Sequence, residues 1–396
     1  MSKNLITEKI QQAVSILNEK DIDLWMTFVR ESGTMRDPAM EMVVGTNATW
    51  QSAFLINRNG DTTAIVGSLE VPNMNMVGTY KNVVGYVQSV KEPLVEYLTK
   101  HDPKKIAVNY SINSNLADGL THGLFLILQK HLEGTPFIER FVSSEEIIAS
   151  LRGRKSSSEI ELMKTAVKHT EEIFEEATKF IAPGKSELEI ATFVKERIFE
   201  RGLGLAWAED HCPSVFTGPD TAGAHSGPTD RKVEKGHIIN MDFGVKYNGY
   251  CSDMQRTWYI LRDGEDTAPN EVQRGFDVLK TAIQKAKAVI RPGVKGCEVD
   301  ETARNYITEN GYAEYQHGLG HQLGRTAHDG GGGLFPRWER YGNLPFLPIE
   351  ENQIFTIEPR LFVEGHGVVT MEEEVVVTKD GCEYLTHPQI ELILIK

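Results

Sequence analysis

Apolar positions change their spacing repeatedly along this chain, and each change predicts an element. Over residues 7–19 they return every three or four positions, the period of one helix face. Residues 23–29, 63–66, 82–87 and 105–110 are short apolar or β-branched runs that predict strands. This alternation predicts an α/β domain over residues 1–148, and no chemical motif stands out within it. His101, His122 and His131 are scattered and read as packing or surface histidines.

A second domain is expected over residues 149–396. Ser156 followed by Glu159 fits a capping box, in which the hydroxyl closes one backbone N–H and the carboxylate reaches back to another. The helix it opens should run to about residue 180 and stop before Pro183-Gly184. Ser186 with Glu189 caps the next helix, which stops at Gly202. The stretch from residue 181 to 202 then returns without gaps at residues 290–311, a displacement of 109. Pro183 matches Pro292, Gly184 matches Gly293, Glu189 matches Glu298, Ile190 matches Val299 and Ile198 matches Ile307. An internal duplication packed about a pseudo-twofold axis would set a site between its halves. The alternative is a chance likeness of two helices that follow Pro-Gly breaks.

Composition narrows the class without naming it. The 396 residues are 40% hydrophobic and 25% charged, as in ordinary soluble domains. With 42 basic against 56 acidic residues the net charge is −14, so no basic face for nucleic acid is expected. No apolar run is long enough for a membrane span, and the first residues lack an apolar signal core. Cys212, Cys251, Cys297 and Cys382 are widely spaced and read as reduced thiols of a cytoplasmic protein.

The chemistry concentrates in four places. Asn248-Gly249 is a strong hairpin signal; with those two residues as the loop, opposed positions share the sum 497. Asp242 then faces Gln255, and Asp253 lies diagonally on the same face, so two carboxylates could clasp a cation. An aspartate at each end of an ordinary hairpin is the alternative. In His317-Gly-Leu-Gly-His321 the glycines disfavour a helix, and an extended strand would still keep both imidazoles on one face. His328 and Asp329 follow, then Gly330–Gly333, which lacks a following Gly-Lys-Ser/Thr and reads as a flexible loop. Glu358 ends a strand before Pro359. Glu372, Glu373 and Glu374 open a β-branched strand, with Glu372 and Glu374 on one face; a solvated edge strand would carry the same charges. Four carboxylates and one histidine make an oxygen-rich set that suits two divalent ions such as manganese, cobalt, iron or zinc.

These motifs resemble the pita-bread metallopeptidases: aminopeptidase P, prolidase and methionine aminopeptidase, with creatinase as a metal-free relative. The likeness covers roughly residues 150–396, and the N-terminal domain is similar in size and pattern to the creatinase-type N-domain. It implies an α+β pita-bread catalytic domain holding two divalent ions, manganese first, on Asp242, Asp253, His321, Glu358 and Glu372. Asp253 and Glu372 are implied to bridge the ions, Asp242 to complete one, and His321 with Glu358 the other. His225, His317 and His328 are implied to bind the substrate carbonyl, stabilise the tetrahedral intermediate or relay protons, and Glu358 to act as general base.

The implied reaction is cleavage of the peptide bond before proline by a metal-bridging hydroxide, as in an Xaa-Pro aminopeptidase or dipeptidase. The implied assembly is a homodimer. A metal-dependent hydrolase or lyase of a small non-peptide substrate on the same fold is the alternative. Two departures from the family pattern bear on specificity. Thr370 stands where many proline-specific members carry arginine, and Arg360 replaces the common glycine after TIEP. The loop with Arg337, Trp338, Arg340 and Tyr341 offers Arg337 or Arg340 as another cation for a peptide carboxylate, with ordinary surface-loop arginines as the alternative.

Overall fold

Asn59-Gly60 sits between two apolar runs, and the chain turns there: Asn57 N–H bonds the Asp61 carbonyl at 2.9 Å. The computed structural model describes residues 2–221 and 227–396. The chain divides into two compact units, Met1–Arg152 and Gly153–Lys396.

In the first unit the described strands are β1 (Leu24–Val29), β2 (Ser52–Asn57), β3 (Thr62–Gly67), β4 (Asn82–Tyr86), β5 (Ile106–Val108) and β6 (Phe141–Ser143). They form one sheet in the order β4-β3-β2-β1-β5-β6. The pairs β1–β2 and β2–β3 are antiparallel, and the remaining pairs are parallel. β2 and β6 are absent from the sequence-based strands. β2 is apolar only at its four central positions, 53–56, without alternation, and the Asn59-Gly60 turn is the signal that points to it.

Every β1 residue is buried because both sheet faces are covered. Leu24, Met26 and Phe28 join the core that includes Leu94, Leu98, Leu124 and Leu128, from helices α4 (Lys91–His101) and α5 (His122–His131). Trp25 and Val29 join the opposite core, with Ile6, Ile10, Ala13 and Leu17 of α1 (Lys3–Glu19). The short helices α2 (Met40–Val43) and α3 (Val71–Val77) and α6 (Glu145–Gly153) complete the connections. α1 starts four residues ahead of its apolar pattern because the Ser2 hydroxyl accepts from Leu5 N–H.

The second unit opens with α7 (Ser157–Phe180), then α8 (Glu187–Glu200), each with the predicted capping box closed. The described strands that follow are β7 (Gly204–Leu205), β8 (Ser214–Thr217), β9 (Ile238–Phe243), β10 (Val245–Tyr247), β11 (Tyr250–Cys251) and β12 (Met254–Ile260). Helices α9 (Asn270–Val289) and α10 (Gly296–Glu309) come next. The remaining strands are β13 (Gly320–His321), β14 (Gly333–Leu334), β15 (Ile354–Ile357), β16 (Arg360–Val363), β17 (Gly367–Thr370), β18 (Glu373–Val377), β19 (Cys382–Tyr384) and β20 (Ile393–Ile395).

β8, β9, β12 and β20 form one sheet; β15, β18 and β19 another. α7 and α8 share a core with β8, β9 and β12, whereas α9 and α10 share one with β15, β16 and β18. α8 starts at 187 and ends at 200; α10 starts at 296 and ends at 309, a displacement of 109 at both ends. The turns ahead of them match as well. Gly184 and Gly293 have φ of 88° and 90°, and each donates its N–H to a later segment, to Val233 and Ile349 carbonyls.

Candidate active site

The hairpin register builds the floor of the site. Asn248 and Gly249 have φ of 47° and 86°, a turn that keeps the strands in the register set by the sum 497. Asp242 on β9 therefore lies opposite Gln255 on β12. On its other side Gln255 bridges Glu372, whose N–H donates to the Gln255 carbonyl at 3.2 Å. Directly opposed residues share a sheet face, so Asp242, Gln255 and Glu372 stand in one row on one side. Asp253 precedes β12 and is held by its N–H, which donates to Glu374 Oε1 at 2.8 Å.

His321 enters from β13. Its backbone can come close because Gly320 has no side chain: a Cβ there would lie 2.0 Å from the Thr356 carbonyl oxygen of β15. The imidazole Nδ1 faces the Gln322 carbonyl at 3.2 Å, which places the proton on Nδ1. Nε2 then points its lone pair inward, 3.7 Å from Asp253 Oδ2 and 3.3 Å from Glu358 Oε1. Glu358 follows the last residue of β15, and Gln255 Nε2 donates to its Oε2 at 3.4 Å. The Thr370 hydroxyl donates in turn to Gln255 Oε1 at 2.6 Å.

One ligand atom each from Asp253, His321 and Glu372 lie within 4.8 Å of one another. Asp242 and Glu358 line the same cavity of about 450 Å³. Asp242 Oδ1 and both Glu372 carboxylate oxygens are buried without a hydrogen-bond partner among the described residues. Burial pushes the Asp242 carboxyl up to about 7. Asp253, Glu358 and Glu372 are raised well above the carboxylate range, first by burial and then by one another's charge. Burial, with the nearby His328 charge, lowers His321 to about 3, so the imidazole is neutral and free to act as a donor. Buried acids without a counter-charge, orphaned oxygens and an inward imidazole lone pair fit divalent cations, which would supply the missing charge.

His317 and His328 line the same cavity. The His328 ring packs edge-on against His321 at 4.3 Å, and His317 Nδ1 faces the Gly318 carbonyl at 2.7 Å. His317 sits in a bend rather than in the expected strand, which among the described residues spans only Gly320–His321. His225 lies outside the described residues.

One expectation needs correction, and two alternatives fall away. Glu372–Glu374 do not lie on a solvated edge: β18 is the middle strand of its sheet, and all three acids are buried. Glu373 points away from the cavity and pairs with Arg256 at 3.1 Å. Gly330–Gly333 is not wholly a loop, since Gly333 pairs with His321 across β13 and β14. Arg337 and Arg340 do not line the cavity: Arg337 pairs with Glu301 at 3.0 Å, and Arg340 donates to the Gln316 carbonyl. The arginine that does line it is Arg360, opposite Thr370 across β16 and β17, and burial lowers its pKa.

Trp207, His211, Phe216, Gln255 and Phe335 also line the cavity and were missed as site residues. For Gln255 the signal was present, since the hairpin arithmetic had already set it against Asp242. Tyr341, from the arginine-rich loop, lines the cavity too; its hydroxyl accepts from Gly318 N–H at 3.0 Å and its ring stacks on Phe335.

A profile of metallopeptidase family M24 matches residues 161–379. An uncharacterised peptidase of Staphylococcus saprophyticus is 29% identical over 384 residues, covering 96% of this chain and 99% of that one. Among solved structures, an X-Pro aminopeptidase from Thermotoga maritima is similar at a TM-score of 0.73 and 26% identity, covering 98% of this chain and 99% of the other. A prolidase from Pyrococcus horikoshii is similar at a TM-score of 0.70 and 25% identity, covering 98% and 100%.

Proposed function

This chain belongs to metallopeptidase family M24, and from that premise we propose that it hydrolyses the peptide bond before proline, using two divalent ions. The observation that carries the reading is the convergence of Asp242, Asp253, His321, Glu358 and Glu372 on one cavity, with Asp242 Oδ1 and both Glu372 carboxylate oxygens unpaired among the described residues. These five residues would hold the ions. When bound, such ions acidify a water and polarise a carbonyl oxygen. The names of the two solved structures described above support proline as the residue after the cut.

The chain's own residues divide the remaining work. Glu358 accepts the proton of the attacking water, its rotamer fixed by Gln255 Nε2 on Oε2. His317 and His328, at the cavity wall, hold the substrate carbonyl and the oxygen that gains charge as the carbonyl carbon becomes tetrahedral. For His225, which lies outside the described residues, the family resemblance alone supports a role toward the substrate. Trp207, Phe216, Phe335 and Tyr341 give an apolar lining suited to a proline ring and an adjoining side chain. The displacement of 109 residues between α8 and α10 supports a duplicated half as the source of the catalytic unit, with the site where the halves meet.

The test is hydrolysis of Xaa-Pro peptides after chelation and return of manganese or cobalt. Cleavage should depend on added metal and fall at least about a thousandfold in Asp253→Asn, together with loss of bound metal. Two bound ions with no cleavage of any peptide would sink the reading in favour of a small-molecule hydrolase or lyase.

A further inference from the structure

Residues 315–319 bring His317 to the cavity wall without the support of a strand, since β13 begins only at Gly320. Their backbone groups take side chains as partners instead. Arg304 Nη1 donates to the Tyr315 carbonyl at 2.6 Å, and its Nη2 to the His317 carbonyl at 2.7 Å. Arg340 Nη2 donates to the Gln316 carbonyl at 2.6 Å. Gly318 N–H donates to the Tyr341 hydroxyl at 3.0 Å, and Leu319 N–H to Asp300 Oδ1 at 3.0 Å. The Gly318 carbonyl lies 2.7 Å from His317 Nδ1, so the angle of the ring follows the path of this backbone.

The centre of the arrangement is an ion pair one turn apart on α10. Arg304 Nε donates to Asp300 Oδ2 and Arg304 Nη2 to Asp300 Oδ1, each at 2.8 Å. Both residues are buried, at 1% and 7% exposure. Burying two charges is expensive, and well-packed apolar residues often serve stability as well or better. α10 does not need the pair to dock, because Val299, Ala303 and Ile307 already join the core with α9. The pair offers something that apolar residues lack. The rigid guanidinium fork reaches two carbonyls two residues apart, while the carboxylate fixes the fork and takes an N–H of the same segment. The segment also touches the metal-binding residues, since the Leu319 carbonyl accepts from Glu358 N–H at 2.7 Å. Those residues have other supports: Gln255 holds the Glu358 carboxylate, and His321 N–H donates to the Thr356 hydroxyl at 3.1 Å.

We propose that Asp300 and Arg304 are positioning residues for His317, fixing the angle of its ring at the cavity wall by clamping the carbonyls of Tyr315 and His317 and the N–H of Leu319. This rests on the role proposed above for His317 and adds what holds that ring in place.

The test is a mutant cycle on manganese-loaded enzyme with an Xaa-Pro peptide that wild type cleaves. Asp300→Leu with Arg304→Met removes the clamp without stranding a buried charge, and Arg304→Lys keeps the charge and a donor. Circular dichroism checks folding, and Arg304→Lys carries the cycle where the double variant does not fold. The double variant should lose about 100-fold in kcat, with KM and manganese affinity within about threefold of wild type. Arg304→Lys should keep part of the rate. In a His317→Ala background the same two substitutions should cost less than about threefold, because the group they position is already gone. An equal cost in both backgrounds, or a loss accounted for by lost manganese, overturns the proposal. Should no peptide be cleaved, the function proposed above fails on its own, and the ring decides this one. In protein with 15N-labelled histidine, the His317 Nδ1–H resonance, assigned by its loss in His317→Ala, should be visible in wild type and lost in the double variant. A resonance unchanged by the double substitution, or absent from wild type, overturns the proposal as well.

Discussion

Glu374 does not line the cavity, yet it fixes a residue that does. Its buried carboxyl accepts from Asp253 N–H, and burial raises it well above the usual carboxylate range, which favours the neutral form. Glu374→Ala would leave that N–H buried without an acceptor, at a cost of about 1–3 kcal/mol, and loosen Asp253. Metal affinity should then fall by about 10–100-fold, whereas Glu374→Gln keeps an acceptor oxygen and most of the affinity. Metal titration of the chelated variants checks this, and unchanged affinity in Glu374→Ala would remove Glu374 as the positioner of Asp253. Period two on the strand already put Glu374 on the side of Glu372. The pattern did not show that an acid one pleat further on would bind a backbone N–H instead of joining the cavity. That depends on the distance between strands far apart in sequence.

At the scale of elements, caps and turns were legible because they are written in adjacent residues. Ser156 and Ser186 close their boxes as spaced, with Glu159 and Glu189 N–H donating to the serine hydroxyls at 3.3 Å and 3.1 Å. α10 has only half of this device. Glu298 accepts from Lys295 N–H at 2.8 Å, but the N-cap is an exposed lysine, which has no acceptor to offer. Lys295 already has the extended backbone of an N-cap, with φ −85° and ψ 146°. Lys295→Ser should therefore stabilise the protein by about 0.5–1 kcal/mol in urea unfolding. A variant no more stable than wild type would show that the existing contacts of Lys295 outweigh the missing hydroxyl. Strand neighbours were less legible. The acids opening β18 suit either an exposed edge or a buried centre, and only the flanking β15 and β19 decide between them.

Across the whole molecule, the charge left unpaired in the second unit ties stability to bound ions. Each divalent ion held at a hundredfold excess over its Kd adds about 2.7 kcal/mol. Chelation should lower the unfolding midpoint, and manganese should restore it. In hydrogen exchange, protection should fall in β9, β12 and β18, while β1 and β2 of the first unit, which holds none of the five residues, keep theirs. A midpoint indifferent to chelator would contradict metal binding at this site. The sequence by itself determined the alternation of helix and strand, the caps, the hairpin register that sets Asp242 against Gln255, and the motifs that place the chain in its family. All of these follow from backbone geometry or side-chain hydrogen bonds over a few residues. Only the tertiary structure decided that Gln255 stands between Asp242 and Glu372, that Glu373 turns from the site to Arg256, and that Arg360 rather than Arg337 or Arg340 reaches the cavity. Those facts depend on which strands become neighbours, and that is settled by the burial of whole faces rather than by any local pattern.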